Sequence, residues 1–117
     1  MDARQRGKWG EEIALAYLLK SNYIRVAQGY RSRFGEIDII VKNKEYLVFV
    51  EVKLRKNANF AQAREYVGRK KQDKLRSTAS LWLSSHKTAL QPRFDVIEIY
   101  APDETSTPEI IHIENAF

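Results

Sequence analysis

FGEIDIIVKNKEYLVFVEVKLR, residues 34–55, decides how the rest of the chain is read. One apolar run (Ile37, Ile39, Ile40, Val41) and a second (Tyr46, Leu47, Val48, Phe49, Val50, Val52) flank the polar turn Lys42-Asn43-Lys44-Glu45. The pattern predicts a β-hairpin. Branched and aromatic residues with little alternation are the mark of strands covered on both faces. Three charges interrupt these strands: Asp38 in the first, Glu51 and Lys53 in the second. An ionised carboxylate left in apolar surroundings costs several kcal/mol unless a cation or donors compensate. Paired strands carrying two such carboxylates and an ammonium point to a divalent-metal site.

Working outward, residues 7–21 have helical spacing. Trp9, Ile13, Ala16, Tyr17 and Lys20 fall at three- and four-residue steps, with Ala14, Leu15, Leu18 and Leu19 widening the stripe. Asn22 is suited to the left-handed conformation that ends helices. Glu11 and Glu12 are expected in the first turn or two, where the helix dipole favours acids. That accounts for Glu12, whereas Leu15 and Leu18 place Glu11 at the border of the core. Residues 23–31 read as a strand nearer the sheet edge. On the far side of the hairpin, residues 56–59 read as a polar loop, and residues 60–67 fit either a helical turn or an irregular lead-in. A second helix over 68–85 would pack Leu75, Ala79, Trp82 and Leu83 and expose Lys70, Lys71 and Lys74. Residues 93–100 alternate as a strand, 101–108 form a turn-rich loop, and 109–113 make a last short strand. The order α-β-β-β-α-β-β describes one α/β domain over 1–117, with a central mixed sheet.

The charge is unevenly placed. Residues 53–76 hold nine bases against two acids, net +7, while the remainder carries 11 bases and 13 acids, net −2. A basic segment directly after an acidic hairpin points to a polyanion, nucleic acid first. Its cations nearest the site are Arg55, Arg69, Lys70, Lys71 and Lys74. The chain has no cysteine, which excludes disulfides, thiolate metal sites and cysteine nucleophiles. It shows no signal-peptide h-region and no apolar run of about 18 residues, so a cytoplasmic, non-membrane protein is expected.

Twelve residues, one hairpin, separate Asp38 from Glu51, so pairing should bring the carboxylates to the same end and face. Hard oxygen donors so arranged suit Mg²⁺ or Mn²⁺, which bind one or two carboxylates and complete the shell with waters and phosphate oxygens. Lys53, two residues after Glu51, projects from the same side of the strand. There it could orient a nucleophile and offset charge in a phosphoryl-transfer transition state. Glu36 is either an auxiliary acid or the partner of an arginine such as Arg33. Asp95 is expected to pair with Arg93 or with a donor on a neighbouring strand. His86 and His112 are too few and too isolated for a zinc cluster. Phosphate-loop and nucleophile-elbow motifs are absent.

Together these residues resemble the YraN family of small bacterial proteins. The matching motifs are Gly10-Glu11 with Ala14 and Tyr17-Leu18, Phe34-Gly35-Glu36-Ile37-Asp38, Val48–Arg55, Lys71 and Leu75, Arg93-Phe94-Asp95-Val96, and His112–Phe117. Two positions depart from its pattern: Asn22-Tyr23 replaces Gly-Tyr, and Gly68-Arg69 replaces Thr-Pro at the second helix. The resemblance implies a restriction-endonuclease-like three-layer α/β/α sandwich of the PD-(D/E)XK and Holliday-junction-resolvase group. By it Asp38, Glu51 and Lys53 take the catalytic roles, with Glu11 as a fourth member. Asp38, Glu51 and Glu11 would then hold the metal. The implied activity is Mg²⁺- or Mn²⁺-dependent cleavage of DNA, favoured over RNA, including branched or flap structures; analogy with resolvases extends it to a homodimer. The alternative is a non-catalytic nucleic-acid-binding module whose acids and lysines form a structural network.

Overall fold

A computed structural model of the chain describes residues 1–56 and 67–117. The loop expected over 56–59 and the lead-in over 60–67 lie outside the described residues except for Lys56 and Val67. The elements run α1 (Ala3–Lys20), β1 (Ile24–Ser32), β2 (Gly35–Lys42), β3 (Tyr46–Arg55), α2 (Arg69–Ser84), β4 (Gln91–Tyr100) and β5 (Glu109–Ile113). The sequence order holds. The sheet is a single five-stranded one, ordered β1-β2-β3-β4-β5. Only the β3–β4 pair is parallel, with α2 in the crossover between them.

The helices cover opposite faces of the sheet. Ala14 and Leu18 of α1 pack with Ile39, Val41, Val48, Val50, Ile97 and Ile99. Leu75, Ala79 and Trp82 of α2 pack with Ile37, Ile40, Leu47, Phe49 and Val96. This makes the three-layer α/β/α sandwich, and it explains why both hairpin strands lack polar alternation. The expected alternation of β4 is masked for the same reason, since Asp95 through Tyr100 are all buried.

α1 begins at Ala3 rather than residue 7. Asp2 accepts the Gln5 N–H at 2.8 Å and Gln5 Oε1 accepts the Asp2 N–H at 2.9 Å, a capping box that apolar spacing does not register. Glu11 and Glu12 therefore lie well past the first turn, which contains no acid, and the dipole does not account for them. The buried line of the helix is Gly10, Ala14 and Leu18, while Ala16, Leu19 and Lys20 face outward. Asn22 ends the helix in the left-handed region as expected, at φ 70°. In the hairpin turn the Asn43 side chain accepts the N–H groups of Glu45 (2.9 Å) and Tyr46 (2.8 Å). That local capping sets the register of the hairpin.

Candidate metal and nucleic-acid site

The site begins where β2 and β3 part. Their antiparallel ladder runs from Lys42–Leu47 to Ile39–Val50 and stops there. Beyond it β2 stays paired with β1 through Ile37, Glu36 and Gly35, and β3 stays with β4 as far as Arg55–Tyr100. Asp38 and Glu51 would have been the next partners, and they stand at the fork. Strict alternation also slips there: Ile37 and Ile40 face the α2-side core, whereas Ile39 and Val41 face the other. Asp38 turns into the gap, and its Oδ2 accepts the Val52 N–H at 2.8 Å. A side-chain carboxylate thus replaces a missing ladder acceptor.

The two carboxyl groups lie within hydrogen-bonding reach of each other. Burial pushes Asp38 up to about 8; the Glu51 charge, the Glu51 hydrogen bond and Glu11 add to the rise, and the Val52 N–H only partly opposes it. Glu51 is 6% exposed and faces two ammonium groups, Lys71 Nζ at 3.3 Å and Lys53 Nζ at 3.8 Å. Lys53 lies on the same side of β3 as Glu51, as its two-residue spacing predicts. Lys71 comes from α2, twenty residues further on, so this exposed-helix lysine is also a partner of the buried acid.

Glu11 borders the core as expected. Gly10 sets α1 against Leu54 of β3, its would-be Cβ lying 3.5 Å from that side chain, and Glu11 follows it towards the fork. Burial raises the Glu11 pKa first, followed by the charges of Glu36 and Glu51. Among the described residues, however, no three acids or imidazoles close into a set that could hold a metal ion. The donor set fits as a two-carboxylate site, Asp38 and Glu51, with Glu11 as a neighbouring charge. Glu36 pairs with Arg31 at 3.5 Å rather than with Arg33. The register explains this, because Arg31 and Glu36 are direct cross-strand partners.

Of the cations expected to meet nucleic acid, Arg69, Lys70, Lys71 and Lys74 are exposed on the first half of α2, alongside the fork. Arg69 is tied to Asp73 at 3.2 Å. Arg55 is partly buried at the end of β3. One acid was not legible in advance. Glu98 lies opposite Lys53 on β4 and is buried, and its Oε2 has no hydrogen-bond partner among the described residues.

A second charged cluster lies on the α1 face. Arg93 holds Asp95 in a two-pronged pair, Nε to Oδ1 at 2.9 Å and a terminal nitrogen to Oδ2 at 2.8 Å. His112 Nε2 meets Oδ2 at 2.7 Å, and the Asn115 N–H donates to Oδ1 at 3.0 Å. A carboxylate only accepts, so Nε2 carries a proton, and Nδ1 lies within hydrogen-bonding distance of Tyr17 OH at 3.1 Å. The same arginine donates to Tyr23 OH at 2.6 Å. Asp95 pairs with Arg93 and a neighbouring strand's donor, as expected; the tyrosines were not foreseen.

The model of the Uncharacterised protein family UPF0102 matches residues 10–99. A UPF0102 protein of Caldanaerobacter subterraneus subsp. tengcongensis is 41% identical over 113 residues, covering 95% of this chain and 93% of its own. One from Clostridioides difficile is 39% identical over 118 residues and the whole of both chains. One from Vibrio parahaemolyticus is 43% identical over 115 residues, covering 97% of this chain and 92% of its own.

Proposed function

This chain belongs to the UPF0102 (YraN) family, and from that premise we propose that it is a Mg²⁺- or Mn²⁺-dependent nuclease that hydrolyses phosphodiester bonds in cytoplasmic DNA, branched or flap structures included. One observation carries the reading: a buried carboxyl group, Glu51, and a partly buried one, Asp38, in contact at a sheet fork beside an exposed basic helix. Asp38 and Glu51 would hold the ion, which when bound supplies Lewis acidity and a lowered pKa for water.

The chain's own residues set up the rest. Lys53 lies close enough to Glu51 to turn its ammonium towards a phosphate brought to that acid, where it offsets charge building on the phosphoryl oxygens. Lys71 is about half exposed and can exchange Glu51 for a phosphate oxygen. Lys70 and Lys74 extend the cationic track along α2 and hold the backbone without reading sequence. Fold analogy with resolvases adds a homodimer with two such sites.

The test is incubation with labelled branched, single-stranded and duplex DNA in Mn²⁺. Asp38→Asn and Glu51→Gln should each lower the rate by about 100-fold or more. Cleavage that persists in both variants would come from a contaminant and end the reading. A second reading, a non-catalytic nucleic-acid-binding module, draws on the two lysines that already neutralise Glu51. It predicts salt-sensitive binding without Mg²⁺-dependent heat in calorimetry.

A further inference from the structure

The turn before the fork presents an aromatic ring that the fold does not use. Arg33 and Phe34 connect β1 to β2, and Phe34 is 38% exposed. The turn is firmly held. Ser32 Oγ accepts the Phe34 N–H at 3.0 Å and lies 3.2 Å from Thr78 Oγ1, which donates to the Lys74 carbonyl at 2.8 Å. Gly35 follows at φ +154°, a backbone angle that side chains rarely adopt, with Thr78 and Lys74 against it. Docking the turn onto α2 therefore fixes where the Phe34 side chain leaves the backbone.

Arg33 places its guanidinium carbon 4.8 Å from the centre of the Phe34 ring and has no ion pair among the described residues. Beside the ring is a cavity of about 460 Å³, lined by Phe34, Arg76, Ser77, Ser80, Leu81 and Ser84. The small serines leave the helix surface open, and ligand sites of this kind span about 300–1,000 Å³. The fork is close by. Phe34 precedes Asp38 by four residues, about 13 Å of extended chain, and Lys74 and Lys71 on α2 lead from the cavity to Glu51. An exposed aromatic face with cations on its rim suits a flat, anionic ligand.

Resting on the nuclease reading above, we infer that Phe34 and Arg33 form a stacking platform for an unpaired nucleobase a few nucleotides from the scissile phosphate, so that the substrate is single-stranded or locally unpaired at that point. A base can stack on a side chain only where its face is free, whereas in a duplex both faces are covered by neighbouring bases. On the rim Arg33 meets the phosphate on one side, and Arg76, 3.5 Å from Asp73, exchanges that acid for the phosphate on the other.

The experiment measures binding by fluorescence anisotropy in EDTA, where cleavage plays no part. Short labelled single strands are compared with the same sequence as duplex, using the full chain and its Phe34→Ala, Phe34→Tyr and Arg33→Gln variants. Phe34→Ala should weaken single-strand binding by about ten-fold and leave duplex binding unchanged; Phe34→Tyr should restore it and Arg33→Gln should weaken it less. Scanning one abasic site along the strand should locate a position that costs the wild type a similar factor and costs Phe34→Ala nothing. Unchanged single-strand affinity in Phe34→Ala overturns the platform, as does an equal loss for strand and duplex. If that variant is unchanged while the wild type binds and cleaves, the nuclease reading survives and the platform alone fails. A wild type that binds no nucleic acid at low salt, or prefers acidic peptides, ends both.

Discussion

Two aspartates sit in one sheet, Asp95 fully buried and Asp38 partly buried, and their surroundings set them apart. Asp95 on β4 has no exposed surface and accepts four hydrogen bonds, from both prongs of Arg93, from His112 and from the Asn115 N–H. Burial pushes its pKa up, but these donors together outweigh it and hold the carboxyl below its ordinary value. Asp38 on β2 has one backbone donor among the described residues and faces the acids Glu51 and Glu11, and its pKa is raised to about 8. Asp95 is electrostatically complete and ties β4, β5 and α1 together through His112 and Tyr17. Asp38 is a carboxyl whose surroundings disfavour its charge. Burial alone therefore does not separate the two acids; the donors around them do.

The contrast breaks most visibly at Asp95. Asp95→Asn should destabilise the chain by about 3–5 kcal/mol, because it removes the buried, two-pronged counter-charge of Arg93 and leaves it only the exposed Glu114 at 3.7 Å. Denaturant unfolding checks this, and a loss no larger than that of an exposed pair would erase the distinction. Asp38→Asn should do the reverse. The folded pKa of Asp38 lies above its unfolded value, so its contribution is fully present below about pH 4 and is lost as pH rises through about 8. The variant should therefore melt near the wild type in acid and above it at pH 8, about 4 °C for each kcal/mol at this chain length. Asp95 has the opposite sign: its contribution is present above the unfolded pKa and disappears as acid protonates the folded carboxyl. The smallest effect belongs to Lys71→Met. Its ion pair with Glu51 is half exposed, so stability should move by less than about 1 kcal/mol, while the salt slope of DNA binding should fall by about one.

Much of this was legible in the residues. The hairpin, its turn at Asn43, the left-handed Asn22 and the edge position of β1 follow from apolar pattern and short-range capping. The hairpin spacing also brought Asp38, Glu51 and Lys53 together. The Arg31–Glu36 pair could have been read too, because a two-residue turn at Arg33-Phe34 places those residues opposite each other. The start of α1 was missed because Asp2 and Gln5 act through polar capping, which apolar periodicity ignores. Lys71 beside Glu51, and Tyr17 with His112 beside Asp95, join residues seventeen or more positions apart.

Sequence by itself determined the element order and the buried strands that carry acids, since hydrogen bonds and apolar faces a few residues apart decide these. Tertiary structure alone decided which buried acid is satisfied. That depends on donors from distant elements, and on the parting of β2 from β3 at Asp38. No local pattern records where a ladder stops, because each strand there continues with a different neighbour.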